Sequence, residues 1–428
     1  MTRKTATLAA SAGTAMACAL AHAGGPIIDI PPGTLPSEAW FAVNPDATVN
    51  VSSGEFIFPD DGAGGSFEFN GATVNIESTA ASGFFTLDHF VQDVTFNING
   101  GDLIRANFQG LVGTSTLNIN SGSVERGLHL RGNSTAVMSG GSVGLVAQGQ
   151  AAFVLEDTAT FTMSDGTIDT FILITESTVF TQTGGTLSGG ILAEDDAAIV
   201  VSGGSSGRDG RLRDIGCTLT VSGGTIGRDF VAEHGVVTMT GGGFETNCGM
   251  TNGGGVDPVW NMSGGALGES FRAYDGTINI SGGLVGLGFR LGRPTGDGSG
   301  VTCNLTVKSA MIDGVALDLT RTPAVITTRG GAFLSCVLLD DSLIGFHLNE
   351  DSVFGEDRIR AAATLTVALA PCPADIAAPF GDPNFFDVSA YIGLYTAMDP
   401  AADLAAPFGV FNFFDVVEYI AQFNAGCP

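Results

Sequence analysis

The stretch that decides the fold is Ile278-Asn279-Ile280-Ser281-Gly282-Gly283, because the chain restates it over about 300 residues. Apolar and polar residues alternate over the first three positions, a small hydroxyl side chain follows, and two glycines come next. Related stretches occupy residues 96–101, 117–122, 219–224 and 260–265. The copies recur with a period of about 20 residues, which is typical of one coil of a stacked solenoid.

Within each copy the alternation has a period of two residues, which predicts a β-strand with one buried face. Phe161 and Met163 would point inward, and Thr162 between them would point outward. A second alternation follows the glycine turn and predicts a second inward-facing strand in each coil. Its apolar pairs are Leu128/Leu130, Ile172/Ile174, Ile191/Ala193, Phe230/Ala232, Phe271/Ala273 and Phe289/Leu291.

We count about sixteen copies between residues 48 and 370, the last of them degenerate and centred near Ala310, Gly331, Asp351 and Ala370. Glycine at the turn supplies backbone angles that a side chain would forbid. The predicted fold is therefore all-β, a parallel β-helix (β-solenoid) of about sixteen coils over residues 48–370. The pattern resembles the parallel β-helices of autotransporter passengers and pectin-lyase-like proteins. That resemblance implies an architecture and no particular activity.

The segments before the repeats have a different character. Residues 1–23 have the pattern of a signal peptide, with a basic start at Arg3 and Lys4, an apolar stretch, and an A-x-A cleavage site at residues 21–23. We therefore expect a secreted protein. Residues 24–47 are rich in proline and are predicted to form a cap over the open N-terminal end of the solenoid. No later segment is apolar over a length that could span a bilayer.

The chain has 428 residues and a formal net charge of −27. Such acidity argues against nucleic acid and anionic membranes as partners, and it leaves cations and basic surfaces open. The turn before each main strand carries an acid, so stacking would place like charges in a column. We expect solvated turns there, with a ladder of bound cations as the alternative. The predicted column consists of Asp157, Glu176, Asp195, Glu233 and Asp275.

Of the seven cysteines, six lie after the predicted signal peptide, and an even number in an exported chain favours disulfides. Cys372 and Cys427 bracket the last segment and are the pair that we expect to be bonded. The spacing of the others does not specify how they pair. These are Cys217, Cys248, Cys303 and Cys336.

The composition changes in the last segment. Residues 371–428 contain seven acids and neither lysine nor arginine, and residues 373–388 return in similar form as residues 401–416, an offset of 28. Each half ends in a predicted amphipathic helix whose apolar face would pack into the core. These faces are Phe385, Val388, Ile392 and Tyr395 in the first helix and Phe413, Val416, Ile420 and Phe423 in the second.

Two loop–helix units inside a cysteine bracket, with the sequence Asn-Ala-Gly-Cys-Pro at residues 424–428, resemble a bacterial dockerin of the GC type. The resemblance covers about 58 residues and implies a small α-helical module over residues 371–428 that attaches the chain to a partner. In dockerins this partner is a cohesin, bound through the helices. Each dockerin loop binds calcium through oxygens at its first, third, fifth and last positions, as an EF-hand does.

The calcium sites that the resemblance implies are incomplete. Aspartates match the first and last positions of each loop, while alanine and proline replace the ligands between them, and an asparagine before each helix could compensate in part. The candidate calcium ligands are Asp375, Asp387, Asp403, Asp415, Asn384 and Asn412. An equally supported interpretation needs no cation: Asn384 and Asn412 are N-caps, and Asp387 and Asp415 complete capping boxes.

One cluster could carry catalysis. Arg208, Arg211 and Arg213 lie close in sequence to Asp209 and Asp214. In β-helix polysaccharide lyases an arginine can serve as the base beside acidic calcium ligands. Surface ion pairs on one wide loop are the favoured interpretation of the same residues. Asn97 and Asn118 align in successive copies and predict side-chain hydrogen bonds between coils.

We therefore expect a secreted, non-enzymatic β-solenoid that acts as a surface, adhesive or matrix protein. Its dockerin-like module would attach it to a cohesin-like or other cell-surface protein, and a polysaccharide is a further candidate ligand. The alternative is a carbohydrate-active β-helix enzyme, a polysaccharide lyase or hydrolase, that carries a dockerin. A cleft lined by carboxylates and an arginine would favour the enzyme, whereas a smooth sheet face of threonine, asparagine and serine would favour the non-enzymatic protein.

Overall fold

A computed structural model describes residues 20–21, 25–30, 33–34, 36–51, 56–57, 67–77, 90–103, 110–124, 128–144, 153–169, 171–251, 256–293, 300–319, 323–350, 356–370, 372, 374–377 and 383–426. The chain divides into two compact units, one of residues 1–261 with 265–272, the other of residues 262–264 with 273–428. The first unit is built of parallel coils. The second contains further coils, antiparallel hairpins and the C-terminal helices.

The strands of the first part of the chain are β1 Leu20–Ala21, β2 Pro26–Ile30, β3 Gly33–Thr34, β4 Thr48–Val51, β5 Phe56–Ile57, β6 Phe67–Ile76, β7 Phe90–Leu103, β8 Gly110–Val112, β9 Thr116–Val124, β10 Leu128–Leu130, β11 Thr135–Val143, β12 Phe153–Leu155, β13 Thr160–Ile168, β14 Ile172–Ile174, β15 Val179–Gln182, β16 Thr186–Leu187, β17 Ile191–Ala193 and β18 Ala198–Ser205. The later strands are β19 Arg211–Leu212, β20 Thr218–Ile226, β21 Val231–Ala232, β22 Val236–Met239, β23 Gly243–Phe244, β24 Gly249–Met250, β25 Val259–Leu267, β26 Arg272–Ala273, β27 Gly276–Val285, β28 Arg290–Leu291, β29 Val301–Ile312, β30 Val315–Ala316, β31 Ala324–Val325, β32 Phe333–Leu338, β33 Leu343–His347, β34 Arg358–Ile359 and β35 Thr364–Leu369. The described helices are α1 Glu38–Val43, α2 Phe385–Thr396 and α3 Phe413–Ala425, with a 3-10 turn at Pro400–Ala402. None of these helices is long and apolar enough to cross a membrane.

Successive copies of the repeat pair in parallel through their main strands. In the first unit Asn50 of β4 lies opposite Asn75 of β6, as Asn97 of β7 lies opposite Asn118 of β9. On β13 the predicted inward residues are buried, while Thr162 between them is partly exposed. The prediction of a parallel β-solenoid is therefore confirmed, and each side chain lies next to its equivalent in the neighbouring coil.

A second, shorter strand in each coil also faces inward. Strand β14 pairs in parallel with β12 on one side and with β17 on the other. All twelve side chains predicted to point inward from these shorter strands are buried. Aromatic rings stack in this core, where the Phe161 centroid lies 4.3 Å from that of Phe153 and 5.3 Å from that of Phe180. Burial of each such side chain stabilises the fold by roughly 1.5–3 kcal/mol.

Residues with a positive φ bend the chain both within and between the strands. Gly204 lies in β18 and Gly224 in β20, with φ angles of 74° and 72°. A β-carbon on Gly224 would lie 2.7 Å from the backbone of Gly203 in the preceding coil, so only glycine fits. Aspartates make other turns, as at Asp195 and Asp209 with φ angles of 59° and 64°, because their short polar side chains tolerate the left-handed region.

The N-terminal segment 24–47 contributes a strand to the solenoid and is more regular than predicted. Strand β2 pairs in parallel with β4, so it forms a rung before the first predicted copy. Phe41 of α1 is buried, and its ring centroid lies 4.8 Å from that of Phe69 in β6. The predicted signal peptide, residues 1–23, lies outside the described residues except for Leu20–Ala21.

The repeat changes character between β29 and β35 in the second unit. These two strands pair in parallel, with Cys303 opposite Leu365, as successive coils do. Between them β32 pairs antiparallel with β29 and β33 antiparallel with β32, while β34 pairs in parallel with β28. The copy predicted near Gly331 is therefore not a parallel coil. Strand β29, which contains Ala310, pairs in parallel with β27 and β35 over residues 301–307, and only its end pairs antiparallel with β32. Asp351 lies outside the described residues. The predicted count of sixteen coils is not confirmed.

The cysteines of the solenoid are free, contrary to the expectation of disulfides. The free buried thiols are Cys217, Cys248, Cys303 and Cys336. Burial raises the pKa of Cys248 and of Cys336 to about 12, which keeps both thiols protonated and unreactive. Cys372 is disulfide-bonded, and its predicted partner Cys427 lies outside the described residues.

The substitution Gly224→Ala should destabilise the first unit, because the new methyl group meets the Gly203 backbone and the residue must keep a left-handed φ. We expect a loss of at least about 2 kcal/mol in the free energy of unfolding, measured by denaturant titration of the full chain. Gly113→Ala is the matched control, because Gly113 has a φ of 68° and its nearest atom to an added β-carbon is 3.9 Å away, on Gln92. This control should lose about 1 kcal/mol. Equal losses at the two positions would contradict a role for close packing between coils.

Candidate functional site

The C-terminal segment folds as two loop–helix units that pack on each other. Tyr391 of α2 and Tyr419 of α3 are buried, and their rings stack with centroids 3.9 Å apart and an interplanar angle of 3°. The Tyr391 hydroxyl donates to the carbonyl oxygen of Ala402 at 3.4 Å, and the Tyr419 hydroxyl donates to that of Ala374 at 3.3 Å. Burial raises the pKa of Tyr391 to about 12, so its hydroxyl remains a donor at neutral pH. The two contacts are equivalent under the 28-residue repeat.

Asp415, a predicted calcium ligand, is buried and closes the second loop by hydrogen bonds. Its carboxylate accepts backbone N–H bonds from Leu404 and Ala405, both at 2.9 Å, and from Asn412 at 2.7 Å. These bonds, the one from Asn412 most of all, lower the pKa of Asp415 below its ordinary value. The ionised carboxylate is therefore the form that holds the loop.

The first loop is closed in the same way. The buried carboxylate of Asp387 accepts from the backbone N–H of Ala377 at 2.6 Å and from that of Asn384 at 2.8 Å. Both helices begin with a complete capping box, in which the asparagine side chain accepts a backbone N–H from the first turn. The interpretation of Asn384, Asp387, Asn412 and Asp415 as caps is therefore confirmed.

The donor set does not fit a complete calcium cage. In the second loop one Asp403 oxygen accepts the N–H of Gly409, and the other is buried and has no hydrogen-bond partner among the described residues. Asp375 occupies the equivalent position of the first loop, and one of its carboxylate oxygens is buried too. Calcium takes six to eight oxygen ligands. Among the described residues, which leave out 378–382 of the first loop, one such carboxylate in each loop falls well short of that number, and Asp387 and Asp415 already accept backbone N–H bonds.

The acidic turns of the first unit form a hydrogen-bonded column. Asp157 accepts the backbone N–H of Gly132 at 2.8 Å, and Glu176 accepts that of Asp157 at 2.5 Å. Asp195 accepts in turn from Glu176 at 3.2 Å, and Asp214 accepts from Asp195 at 3.0 Å. Each carboxylate binds the turn of the preceding coil, and these N–H dipoles offset the repulsion between stacked acids.

Two acids that were predicted to belong to this column form ion pairs with arginines. Glu233 pairs with Arg211 at 2.6 Å, and Asp275 pairs with Arg293 at 2.6 Å. Asp214, which the sequence placed in the arginine cluster, is a member of the column instead. In the parts of the chain that the structure describes, no group of three or more His, Cys, Asp or Glu residues is arranged to hold a metal ion.

The predicted arginine cluster separates into exposed ion pairs. Besides the pair made by Glu233, Arg213 lies 2.5 Å from Glu194, and Arg208 lies 3.3 Å from the neighbouring Asp209. The three arginine side chains are 42% to 62% exposed, where such pairs contribute little to stability. Each arginine contacts a different carboxylate. In the described part of the chain, none of the three therefore lies beside a group of several acids, which is the arrangement described above for polysaccharide lyases. The interpretation as surface ion pairs is confirmed.

A ladder of asparagines follows the outer face of the main sheet in the first unit. Asn118 donates to the side-chain oxygen of Asn97 at 2.7 Å, Asn97 donates to Asn75 at 2.8 Å, and Asn75 donates to Asn50 at 2.8 Å. Asn50 donates to the Asp29 carboxylate at 2.9 Å. The predicted bond between Asn97 and Asn118 is confirmed, so these amides serve contacts between coils.

Beyond the ladder the same face carries small uncharged side chains. Strands β11, β13, β15, β20 and β22 alternate buried apolar residues with outward threonine, serine and valine. The outward residues are Thr135, Val137, Ser139, Thr160, Thr162, Ser164, Val179, Thr181, Thr218, Thr220, Ser222, Val236 and Thr238. This surface is called the outer sheet face below.

The helices α2 and α3 enclose an apolar groove of about 290 Å3, called the helix groove below. Its lining consists of Val388, Tyr391, Ile392, Tyr395, Val416, Tyr419, Ile420 and Phe423. Ile392 is 55% exposed, Ile420 is 51% exposed and Phe385 is 76% exposed, so the prediction that these faces pack into the core is wrong for these residues. The core positions belong to Tyr391 and Tyr419, one residue before each isoleucine. Both pairs recur at the 28-residue offset, so the repeat alone did not distinguish them.

Comparison of the chain with protein-family models, with curated proteins and with solved structures finds no match.

Removal of calcium with a chelator should leave amide hydrogen exchange in α2 and α3 of the full chain unchanged, because backbone hydrogen bonds close the loops. Asp415→Ala should speed exchange in α3 several-fold with or without calcium, since three N–H groups lose their acceptor. Glu418→Ala is the matched control on the same helix, where the carboxylate accepts only a side-chain bond from Gln422 among the described contacts. Slower exchange in the wild-type helices on addition of calcium would contradict this account.

Proposed function

We propose that the chain is a secreted, non-enzymatic β-solenoid that serves as a surface, adhesive or matrix protein and is attached through residues 371–428. The contrast between two surfaces carries the proposal. The outer sheet face offers small uncharged side chains, whereas the C-terminal helices leave large apolar side chains exposed. Repeated coils with small uncharged outward side chains, followed by one module with large exposed apolar side chains, suit a protein that is held in place by that module.

The attachment role rests on the resemblance of residues 371–428 to a dockerin. Two capped loop–helix units, a shared tyrosine core and a disulfide at Cys372 all support it. On this proposal the partner is a cohesin-like or other cell-surface protein that docks on the helices. Calcium is not required, because Asp387 and Asp415 hold the loops through backbone N–H bonds.

A carbohydrate-active enzyme is the second candidate, because dockerins often accompany such enzymes. It has less support, since the arginines with the best catalytic potential are each bound to a separate carboxylate. A polysaccharide is better suited as a ligand than as a substrate. Hydroxyl and amide groups on the outer sheet face could hydrogen-bond to sugar hydroxyls without cleaving them.

A chain that ends after Ala370 should be released into the medium by cells that export it, because it lacks the attachment module. The measurement is an immunoblot of envelope and medium fractions for the full and shortened chains. Thr220→Ala, on the outer sheet face, is the control and should remain with the envelope. Retention of the shortened chain in the envelope fraction would refute attachment through residues 371–428.

The purified full chain should release neither unsaturated products nor new reducing ends from a panel of acidic polysaccharides. Ultraviolet absorbance detects the first and a reducing-sugar assay detects the second. Arg213→Ala provides the comparison, since it removes one arginine of the best catalytic candidate. Product formation that this substitution abolishes would overturn the non-enzymatic proposal in favour of a lyase.

A further inference from the structure

The C-terminal helices expose an unusual amount of large apolar surface. The first two residues of each helix are phenylalanines, and Phe385, Phe386, Phe413 and Phe414 are 76%, 58%, 72% and 63% exposed. Phe385 lies three residues before Val388 and seven before Ile392, so helical spacing places it on the stripe that lines the helix groove. Soluble proteins seldom leave such surface uncovered unless a partner binds there.

The helix groove has an apolar floor that is already formed. The stacked rings of Tyr391 and Tyr419 lie at its base, and both hydroxyls donate to carbonyl oxygens of the loops. The half-exposed side chains of Ile392 and Ile420 also line it. Because these two hydroxyls are already bonded inside the module, the tyrosine floor offers an occupant apolar contact. A groove between two helices suits the apolar face of a third helix, with side chains at positions i, i+3, i+4 and i+7.

The negative charge of residues 371–428 limits which partners can bind the helix groove. Residues 371–428 contain seven acids and neither lysine nor arginine, and neither helix has a basic residue in its last turn. Two copies of this module would repel each other, and so would the module and an anionic membrane. A partner that places lysine or arginine around an apolar face would be attracted instead.

We propose that the helix groove binds an amphipathic helix of a partner protein, one whose apolar face is flanked by lysine or arginine. This inference rests on the proposed attachment role and names the chemistry of the partner. The apolar face supplies the contact with the tyrosine floor and the isoleucine walls. The basic flanks supply long-range attraction and orient the helix.

A labelled peptide of about 18 residues, or five helical turns, provides the probe, with leucine on one helical face and lysine elsewhere. Fluorescence anisotropy should show that it binds the full chain, and that affinity falls as salt rises. The same peptide with glutamate in place of lysine, and a scrambled leucine/lysine peptide, should bind at least about tenfold more weakly. No binding of the leucine/lysine peptide, or equal binding of the scrambled peptide, would overturn the proposal.

Ile392→Asp and Ile420→Asp should each weaken binding by at least about tenfold, because they place a charge in the apolar groove. Val417→Asp is the matched control on α3, since Val417 is 43% exposed and does not line the groove. It should bind within about twofold of the wild type. If the peptide were held only by non-specific attraction to the acidic surface, all three variants would bind it at least as tightly as the wild type, because each adds a negative charge.

Amide hydrogen exchange distinguishes the loss of the binding site from the unfolding of the C-terminal helices. The bound peptide should slow exchange in α2 and α3 of the wild type, and the free Ile420→Asp variant should keep wild-type exchange in α3. If the full chain stays with the envelope through residues 371–428 and the peptide neither binds nor displaces it, the attachment role survives and the helical partner is refuted.

Discussion

Parallel backbone pairing in register is the constraint on which the rest of the structure depends. Because successive copies align residue for residue, each side chain lies about 4.8 Å from its own equivalent in the next coil. Several residue types therefore stack on themselves from coil to coil. Asparagine does so through amide hydrogen bonds of 2.7–2.8 Å in the ladder from Asn50 to Asn118. Phenylalanine does so through its ring, and glycine does so at turns where a β-carbon would meet the backbone of the coil before it.

Stacked acidic residues repel each other, and this repulsion must be offset in a chain of net charge −27. The structure resolves it in two ways. Asp157, Glu176, Asp195 and Asp214 each accept a backbone N–H from the turn of a neighbouring coil, so the carboxylate charge meets a dipole. Glu194 and Glu233 instead meet arginines of neighbouring coils. The outward residues of the outer sheet face named above are uncharged, and Asp165 of β13 is an exposed exception beside them.

The C-terminal module uses its carboxylates in the same manner. Asp387 and Asp415 gather backbone N–H groups from a loop and from the start of a helix, and so tie the two together. The stacked tyrosines then form the centre of the module, and the isoleucines beside them line an open groove. Exposed apolar side chains beside this bonded centre are the feature from which we propose a binding role for the module.

The sequence by itself determined the coil, and it offered the caps as one of two interpretations, because both depend on local spacing. Alternate residues of a strand point to opposite faces, so the period of two residues identified the buried side chains of both strands. An asparagine three residues before an aspartate specifies a capping box in the same local way. Only the tertiary structure decided which group each acid binds, because the partners of Asp214 and Glu233 lie on neighbouring coils. It also decided that β32 and β33 pair antiparallel after β29 while β35 returns to parallel pairing, since an alternation of two residues fits both strand directions. In the helices, Tyr391 and Ile392 both lie on the apolar side, and the packing of the second helix decides which of them it covers.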